Sequence, residues 1–366
     1  MNKTTNWLDQ VIEVQIEKVA HGGIFVARHE GRVVFVSHVL PGEKVKARVY
    51  EDKGGSFCRA EPTEILVASP DRVKHFWKNA EQAGGAEFGH IKLSRQRELK
   101  SDVLSEALQR FAGIEMRVPV LAAPGDDENN GLGYRTRIQL HVNEDGDVGP
   151  YRERSHEVVR VKTLPLAVPE IQELGLHLKN WQDVKKIEIA ASSTGQLQWT
   201  IDKKLKGEEK FIERAGGRTF RLSPGAFWQV HKEAANLLAN EVVGMAKAQG
   251  FDPQAQNYDL YGGVGLFSGA LANAFGLDLK ITTVEASKTA AEDAKRNLVD
   301  IKGAKSVALP TERFLDELAS HGALKAKSTI IIDPPRSGAG KHVIERLLTL
   351  QPDHLIYVAC DPIAVA

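Results

Sequence analysis

The cysteine at position 360 is the residue whose type and position most clearly suggest chemistry. It ends the apolar run 354–360 and precedes Asp361 and Pro362, so we expect it to close a β-strand at the carboxyl edge of a sheet. A cysteine within an apolar strand is usually only packed. Beside a methyl donor, its thiolate can instead add to carbon 6 of a pyrimidine and make carbon 5 nucleophilic. Cys58 is the only other cysteine, which excludes a disulfide framework and a four-cysteine metal or cluster site.

A glycine-rich turn is the second chemical feature. Segment 259–265, Asp-Leu-Tyr-Gly-Gly-Val-Gly, lies where a predicted strand turns into a helix, and glycine there lets the backbone approach a cofactor closely. Glu285 ends the next predicted strand, where a carboxylate can accept hydrogen bonds from ribose hydroxyls. A dinucleotide fingerprint would have a third glycine in place of Ser268. The pattern predicts S-adenosylmethionine, and the alternative is a tight turn with no ligand.

An acidic motif follows a later strand candidate. Asp333, Pro334, Pro335 and Arg336 come directly after the apolar run 328–332. The carboxylate should therefore lie at the carboxyl edge of the sheet, where open α/β folds bind ligands. The two prolines fix an extended backbone. Asp-Pro-Pro also marks amino-methyltransferases, and a plain turn is the remaining alternative.

An aromatic segment precedes the cofactor strand. Phe227, Trp228 and Gln229 lead into a helix predicted over residues 231–247. Aromatic rings and an amide can stack on and recognise a base extruded from RNA. A helix entry with buried aromatics explains the same residues, so this segment alone decides nothing.

Three patterns surround these motifs. Residues 9–65 alternate short β-rich runs with glycine turns, which predicts a small barrel, and residues 131–215 form a second β-rich region. A helical stripe covers residues 95–111. After Pro224 helices and strands alternate, which predicts a parallel sheet covered on both faces. The basic residues of the barrel segment form either a solvated strand face or a phosphate-binding face: Arg28, Arg32, Lys44, Lys46, Arg48 and Lys53.

In order and spacing, the FxQ, DLYGGVG, VEAS, DPPR and YVACDP segments resemble the RNA 5-methyluridine (uracil-C5) methyltransferases. The resemblance covers nearly the whole chain, including a TRAM-like segment with a Gly22-Gly23 turn and the GYRTR strand at 133–137. It implies an α/β Rossmann-like class I methyltransferase domain, an amino-terminal OB-like β-barrel (TRAM) and a central β-rich domain. The implied boundaries are 1–66 for the TRAM domain, 67–92 and 114–222 for the central domain, and 93–113 and 223–366 for the methyltransferase domain.

The resemblance also implies roles for individual residues. Cys360 would be the nucleophile, and Phe227 and Arg336 would bind the substrate. Six residues would contact S-adenosylmethionine: Gln229, Tyr261, Gly263, Gly265, Glu285 and Asp333. The implied partner is RNA. The TRAM-like segment favours ribosomal RNA, such as 23S, over transfer RNA, because many bacterial transfer-RNA members lack it.

The chain departs from the family pattern at several positions. Many members bind an iron-sulfur cluster through four cysteines, which align here with Trp77, Ala83, Ala86 and Leu164, so no cluster and no other metal is expected. Gly262 replaces a frequent cysteine, Leu266 replaces an asparagine and Pro310 replaces an acidic residue, and the last two are expected to alter cofactor affinity. Relatives continue beyond the cysteine with a glutamate that removes the carbon-5 proton. We therefore expect the sequence to be truncated.

Composition limits the remaining possibilities. The chain has 366 residues, with 48 basic and 48 acidic side chains, so no overall positive field indicates nucleic acid and any RNA surface must be local. No signal peptide or membrane span is evident, and we expect a soluble, cytoplasmic monomer that does not bind a membrane. Two alternatives remain: an RNA amino-methyltransferase that uses Asp333-Pro334-Pro335, and a catalytically impaired RNA-binding protein.

Overall fold

The computed structural model describes residues 6–77, 83–153 and 155–366, which divide into two compact units. The first unit comprises residues up to 122 together with 147–162, and the second comprises 123–146 together with 163–366. Residues 1–5 of the expected barrel segment and residues 78–82 and 154 of the expected central segments lie outside the described residues.

Five strands of the first unit close into a barrel in the order β1-β2-β3-β5-β4. Their bounds are Val11–Ala20 (β1), Ile24–His29 (β2), Arg32–Val36 (β3), Lys44–Glu51 (β4) and Phe57–Val67 (β5). Along β1 the side chains alternate between solvent and core, because successive Cβ atoms of a strand point to opposite faces. Phe25, Val34 and Leu40 are fully buried in the barrel core. The small barrel predicted from the sequence is confirmed.

One helix packs onto this barrel. Helix α1 (Leu93–Ala107) continues as a π-helical turn over Leu108–Ala112 and ends at Gly113, whose φ of 69° lies in the left-handed region that favours glycine. Leu99 is fully buried and belongs to the barrel core. This packing places residues 93–113 in the first unit, and not with the methyltransferase sheet as expected. A helical stripe shows that a helix covers a core but does not show which core.

The second unit begins with a β-rich region. Strands β6 (Arg137–Val142), β8 (Lys186–Ala191), β9 (Leu197–Ile201) and β10 (Lys204–Gly207) pair antiparallel in the order β6-β8-β9-β10. Strands β11 (Phe211–Ala215) and β12 (Arg218–Leu222) form a hairpin. The short helix α2 (Pro169–Glu173) and a 3₁₀ turn over Leu176–Leu178 lie between β6 and β8 in the chain. The two-residue strand β7 (Val148–Gly149) belongs to the first unit.

The rest of the second unit is a five-stranded parallel sheet with flanking helices. The strands are β13 (Asn257–Leu260), β14 (Lys280–Glu285), β15 (Gly303–Ala308), β16 (Thr329–Ile332) and β17 (His354–Tyr357). The helices are α3 (Ala234–Ala248), α4 (Leu266–Phe275), α5 (Lys288–Asn297), α6 (Thr311–Ala319), α7 (Lys341–Leu350) and α8 (Pro362–Val365). The strand order is β15-β14-β13-β16-β17, so the order reverses between β13 and β16. Open α/β sheets bind ligands at such a switch point, outside the carboxyl ends of the strands.

Both faces of the parallel sheet are covered. Ile331 of β16 belongs to one core cluster, whereas its neighbours Ile330 and Ile332 belong to another. Because neighbouring side chains of a strand point to opposite faces, these clusters lie on the two sides of the sheet. The predicted α/β architecture with a parallel sheet is confirmed.

None of the helices among the described residues is both long enough and apolar enough to cross a membrane.

Candidate active site

The glycine turn after β13 has the close-packed geometry that its sequence predicts. A Cβ on Gly262 would lie 2.4 Å from the Thr283 side chain, so only glycine fits there without a shift. Gly263 and Gly265 have φ values of 53° and 92°, in the region that favours glycine. The Gly265 N–H donates to the Gly262 carbonyl at 2.8 Å and begins α4. Around the Cβ position of Gly263 no atom lies within 4 Å, so this backbone stays open to a ligand.

Tyr261, immediately before the glycines, also has a positive φ, of 60°. A bulky residue rarely adopts this conformation, and such strain is concentrated at functional sites. Burial raises the pKa of Tyr261 to about 12, so its hydroxyl stays protonated and able to donate a hydrogen bond.

Glu285 ties the glycine turn to the neighbouring strand β14. Its Oε2 accepts a hydrogen bond from the Gly263 N–H at 3.1 Å, and its Oε1 accepts one from the Ser287 N–H at 2.8 Å. A carboxylate can accept about four hydrogen bonds, so lone pairs remain for ribose hydroxyls. The sequence-predicted residues Gly263 and Glu285 are therefore in direct contact.

Asp259 is a candidate site residue to which the sequence analysis assigns no role, although it begins the glycine-rich segment 259–265. Its side chain is fully buried, and Oδ2 accepts from both the Ser268 N–H at 3.0 Å and the Ser268 hydroxyl at 2.7 Å. Oδ1 has no hydrogen-bond partner among the described residues. Burial raises the pKa of Asp259 to about 6, and the negative charges of Asp333 and Glu285 contribute. The sequence signal that could have identified it is an acidic residue at the end of a buried strand.

Asp333 follows β16, which pairs with β13 so that Ile332 lies beside Leu260. Its N–H donates to the Leu260 carbonyl at 3.3 Å. Burial raises the pKa of the Asp333 carboxyl to about 6. Arg336, three residues later, is exposed.

Asp259, Glu285 and Asp333 thus place three carboxyl groups at the carboxyl edge of adjacent strands. No lysine or arginine of the described residues forms an ion pair with any of them. Buried carboxylates without a counter-charge are unfavourable, which the two raised pKa values reflect. This edge therefore favours a cationic ligand and disfavours an anionic one such as a dinucleotide pyrophosphate.

Cys360 lies in an exposed bend and not within a strand. Strand β17 ends at Tyr357, so the expectation that Cys360 closes the strand is wrong by three residues. The chain leaves the sheet because Asp361 caps helix α8: its Oδ1 accepts from the N–H groups of Ile363 and Ala364 at 2.9 and 3.2 Å. Exposure removes the interpretation of Cys360 as a packed core residue, whereas Cys58 is buried in the barrel.

The aromatic segment before α3 exposes one ring and buries the next. Phe227 is 74% exposed, whereas Trp228 is 6% exposed and packs against Phe220 with ring centroids 5.5 Å apart. Trp228 shares a core cluster with Val264 and Leu266 of the glycine turn and the start of α4. The Gln229 carbonyl accepts a hydrogen bond from the Thr136 hydroxyl at 3.3 Å. The segment is therefore anchored directly after an exposed aromatic ring.

The structure shows where the positions that depart from the family pattern lie. Leu266 is buried in the first turn of α4, and Pro310 directly precedes α6. The four positions aligned with cluster cysteines hold buried apolar side chains: Trp77, Ala83, Ala86 and Leu164. Within residues 6–77, 83–153 and 155–366, no group of three or more His, Cys, Asp or Glu side chains is arranged to hold a metal ion.

The basic residues of the barrel are paired with acids. Lys44 contacts Glu13, Lys46 lies 2.7 Å from Glu64, and Arg48 lies 2.6 Å from Glu61. The same holds for the other three: Arg28 with Glu17, Arg32 with Asp52, and Lys53 with Glu51. This compensation favours a solvated strand face over a phosphate-binding face.

Comparisons with known proteins agree with this architecture. A TRAM domain matches residues 9–61. An RNA methyltransferase of Streptomyces avermitilis is 37% identical over 396 residues, which cover 97% of this chain and 89% of that protein. An RNA methyltransferase of Bifidobacterium longum is 30% identical over 385 residues, which cover 97% of this chain and 88% of that protein.

A solved structure extends the likeness to the whole fold. The Pyrococcus abyssi tRNA (uracil-54, C5)-methyltransferase, crystallised with S-adenosyl-L-homocysteine, matches with a TM-score of 0.70 at 19% identity, over 97% of this chain and 92% of that one. At this identity the likeness establishes the fold, which is shared with that methyltransferase. The relatives of 37% and 30% identity show that the chain belongs to the RNA methyltransferases, and its residues 9–61 match a TRAM domain.

Proposed function

We propose that this protein transfers a methyl group from S-adenosylmethionine to carbon 5 of a uridine in structured RNA, with Cys360 as the nucleophile. The observation that carries the proposal is the exposed Cys360 at the carboxyl edge of a sheet whose neighbouring strands end in three uncompensated carboxyl groups. Methyl transfer to carbon 5 requires a nucleophile at carbon 6 and a methyl donor beside it.

The carboxyl edge fits the charge of the cofactor. S-adenosylmethionine carries a sulfonium and an ammonium group against one carboxylate, so its net charge is positive. Asp259, Glu285 and Asp333 supply the opposite charge without a competing lysine or arginine among the described residues. The open backbone at Gly263 gives room for close approach, and Glu285 retains lone pairs for ribose. Bound there, the cofactor supplies an electrophilic methyl group.

The remaining steps take place between the Cys360 thiolate and the uridine base. The Cys360 thiolate forms an Sγ–C6 bond, and the C5–C6 π electrons move toward the carbonyl oxygen on C4. Carbon 5 of the resulting enolate would take the methyl group, with S-adenosylhomocysteine as the leaving group. The C5 proton then passes to water, the electrons of the C5–H bond form the C5=C6 double bond, and the Sγ–C6 bond breaks with Cys360 leaving as the thiolate. A uridine inside a helix is out of reach, so it must be extruded, and the exposed Phe227 ring offers a stacking surface for the flipped base. Arg336, which is exposed three residues after Asp333, is the guanidinium that we propose for binding a phosphate of the RNA.

Two RNA classes are the candidates for the substrate. The TRAM domain favours ribosomal RNA, and 23S RNA is the first to test. The Pyrococcus abyssi neighbour acts on uracil-54 of tRNA, which makes transfer RNA the second.

The decisive experiment combines nucleoside analysis with covalent trapping. Incubation with S-adenosylmethionine and RNA should yield 5-methyluridine by mass spectrometry. RNA that carries 5-fluorouridine should instead remain bound to Cys360, because fluorine at carbon 5 cannot leave as a proton does. Methylation of an exocyclic nitrogen, with no trapped complex, would favour the amino-methyltransferase alternative that uses Asp333-Pro334-Pro335.

The impaired RNA-binding protein is the alternative from another class. Calorimetric titration with S-adenosylmethionine distinguishes it, since an impaired protein should give no binding heat at millimolar ligand, whereas the proposed enzyme should give a saturable signal.

A further inference from the structure

The outer face of the β11–β12 hairpin carries two arginines. Arg214 of β11 and Arg221 of β12 are exposed, whereas the residues on either side of each are buried. In the register of the hairpin, Arg221 is paired with Ile212 and Arg214 with Thr219, so the arginines lie on the same face as diagonal neighbours. Diagonal neighbours have Cβ atoms about 7 Å apart. The two guanidinium groups can therefore act on one ligand.

Neither guanidinium group has a counter-charge. Among the residues that the structure describes, no aspartate or glutamate forms an ion pair with Arg214 or Arg221. The acidic residue of the two strands is Glu213, which is 2% exposed, points to the opposite face and lies 3.1 Å from Arg137. In the barrel, by contrast, the basic residues considered above are each paired with an acid. The outer face of the hairpin therefore favours an anionic ligand.

Side chains outside the hairpin hold the backbone of both arginines. The Arg214 N–H donates to the Ser193 hydroxyl at 2.7 Å. The Arg221 N–H donates to Asn297 Oδ1 at 2.9 Å, and the Arg221 carbonyl accepts from Asn297 Nδ2 at 3.2 Å. Asn297 is the last residue of α5 and is 9% exposed. A ligand would meet the two arginines on a backbone that is already ordered, so binding costs less conformational entropy.

Arg221 also lies close in the chain to Phe227, the exposed ring proposed to stack on the flipped base. Strand β12 ends at Leu222, and the Ser223 carbonyl then accepts a hydrogen bond from the Ala226 N–H at 3.0 Å. This bond closes a turn directly before Phe227. Because the ends of such a turn lie within about 7 Å, the Cα atoms of Arg221 and Phe227 are at most about 18 Å apart. One RNA strand can therefore reach both side chains.

We propose that Arg214 and Arg221 bind phosphates of the RNA strand that carries the extruded uridine, a further contact that rests on the proposed function in RNA methylation. Phosphate is the anion that RNA repeats along its whole length, and arginine binds it through charge-assisted, bidentate hydrogen bonds. Such contacts position a nucleic acid without reading its sequence. With 48 basic and 48 acidic side chains the chain has no overall positive field, so a local surface of this kind supplies the attraction.

The salt dependence of RNA binding tests the proposal. The full chain is titrated into a fluorescently labelled RNA stem-loop with uridines in its loop, from about 50 mM to about 200 mM salt, and anisotropy gives the affinity. Each phosphate contact contributes about 0.7–0.9 to the slope of log affinity against log salt. The double variant Arg214→Gln/Arg221→Gln should lower the magnitude of this slope by about 1.5 and weaken binding about tenfold. An unchanged slope and affinity would overturn the proposal, as would absence of RNA binding by the unchanged protein.

The matched control removes two other exposed positive charges. Lys302 and Lys325 shortly precede β15 and β16, at the amino edge of the parallel sheet, and form no ion pair within the described part of the chain. Lys302→Gln/Lys325→Gln should leave slope and affinity unchanged. If it weakens binding as much as R214Q/R221Q does, net charge explains the effect and the proposal fails.

Folding and reversibility are checked alongside. Both arginines are exposed, so R214Q/R221Q should unfold within about 0.5 kcal/mol of the unchanged protein. Arg214→Lys/Arg221→Lys keeps both charges and should retain most of the salt slope. If the double glutamine variant does not fold, R214Q and R221Q decide singly, each with about half of the change in slope.

Phosphate binding by the hairpin and methylation of RNA can fail separately. If the double variant changes the slope as expected but no RNA is methylated, the proposed function fails and the phosphate contact stands. If RNA is methylated but the slope of the double variant matches that of the unchanged protein, the phosphate contact fails and the proposed function stands.

Discussion

The Gly263 N–H donates a hydrogen bond of 3.1 Å to Glu285, so the glycine turn after β13 and the end of β14 are held as one surface. We expect Glu285→Gln to weaken S-adenosylmethionine binding about tenfold, or about 1.4 kcal/mol, because the amide keeps the shape but loses the charge. Isothermal titration calorimetry measures this change. Glu292→Gln, on the exposed side of α5, is the matched control and should bind as the unchanged protein does.

Alanine substitution of each cysteine compares the exposed Cys360 with the buried Cys58. Cys360→Ala should reduce methyl transfer by about four orders of magnitude or more, because it removes the nucleophile proposed to add to carbon 6, while cofactor affinity stays unchanged. Cys58→Ala should leave methyl transfer intact and lower the free energy of unfolding by about 1 kcal/mol, since the thiol is buried in the barrel core. Rates come from radiolabelled methyl transfer to RNA. Full activity of C360A would eliminate the uridine mechanism proposed above.

These features could be predicted from the sequence to different degrees. Motifs on single strands, such as Glu285 and Asp333, could be placed at the sheet edge because the carboxyl ends of parallel strands coincide. The position of Cys360 was predicted three residues too close to the strand, since the Asp361 cap that turns the chain becomes visible only with its partners Ile363 and Ala364.

Contacts between distant residues could not be predicted from the sequence. Asp259 meets Ser268, which in turn meets Thr283 at 2.7 Å, and no motif records this chain of hydrogen bonds. The barrel ion pairs join residues on different strands, as Arg48 and Glu61 do. Which acid neutralises which base could therefore be predicted only with knowledge of the register of β4 and β5.

Cofactor binding should depend on pH through Asp259 and Asp333, whose pKa values are raised to about 6. A cationic cofactor favours the ionised carboxylates, so affinity should fall by up to about tenfold per pH unit and group between about pH 6 and about pH 5. The stability of the ligand-free protein should respond in the opposite direction. A carboxyl whose folded pKa lies above its unfolded value contributes stability at low pH, and this is lost as pH rises through about 6.

Calorimetry across this range, with thermal unfolding of the ligand-free protein alongside, checks both signs. Asp333→Asn should flatten the pH dependence of binding. Affinity that is constant from about pH 7.5 to about pH 5 would contradict the role of these carboxyl groups.

Alanine substitutions at Phe227 and Trp228 distinguish a side chain that contacts RNA from one that stabilises the fold. Phe227→Ala should lower kcat/KM for RNA by the value of one stacked base, about 1–3 kcal/mol, and change unfolding by less than about 0.5 kcal/mol because the ring is 74% exposed. Trp228→Ala should instead destabilise the fold by about 3–5 kcal/mol, since it removes a buried ring from the core. Chemical denaturation and steady-state kinetics distinguish the two. Equal activity of F227A and the unchanged protein would remove Phe227 from the RNA contact.

Alanine substitutions at Gly262 and Gly263 distinguish two roles of the glycine turn, close packing and binding of the cofactor. A methyl group on Gly262 would meet Thr283 at 2.4 Å, so Gly262→Ala should destabilise the fold by about 1–3 kcal/mol. Gly263→Ala meets no atom within 4 Å, and its φ of 53° costs only about 1 kcal/mol for alanine. Because the space over Gly263 is where we place the cofactor, G263A should lose more S-adenosylmethionine affinity than G262A while unfolding at a higher temperature. The reverse order of affinities would place the cofactor elsewhere on the sheet edge.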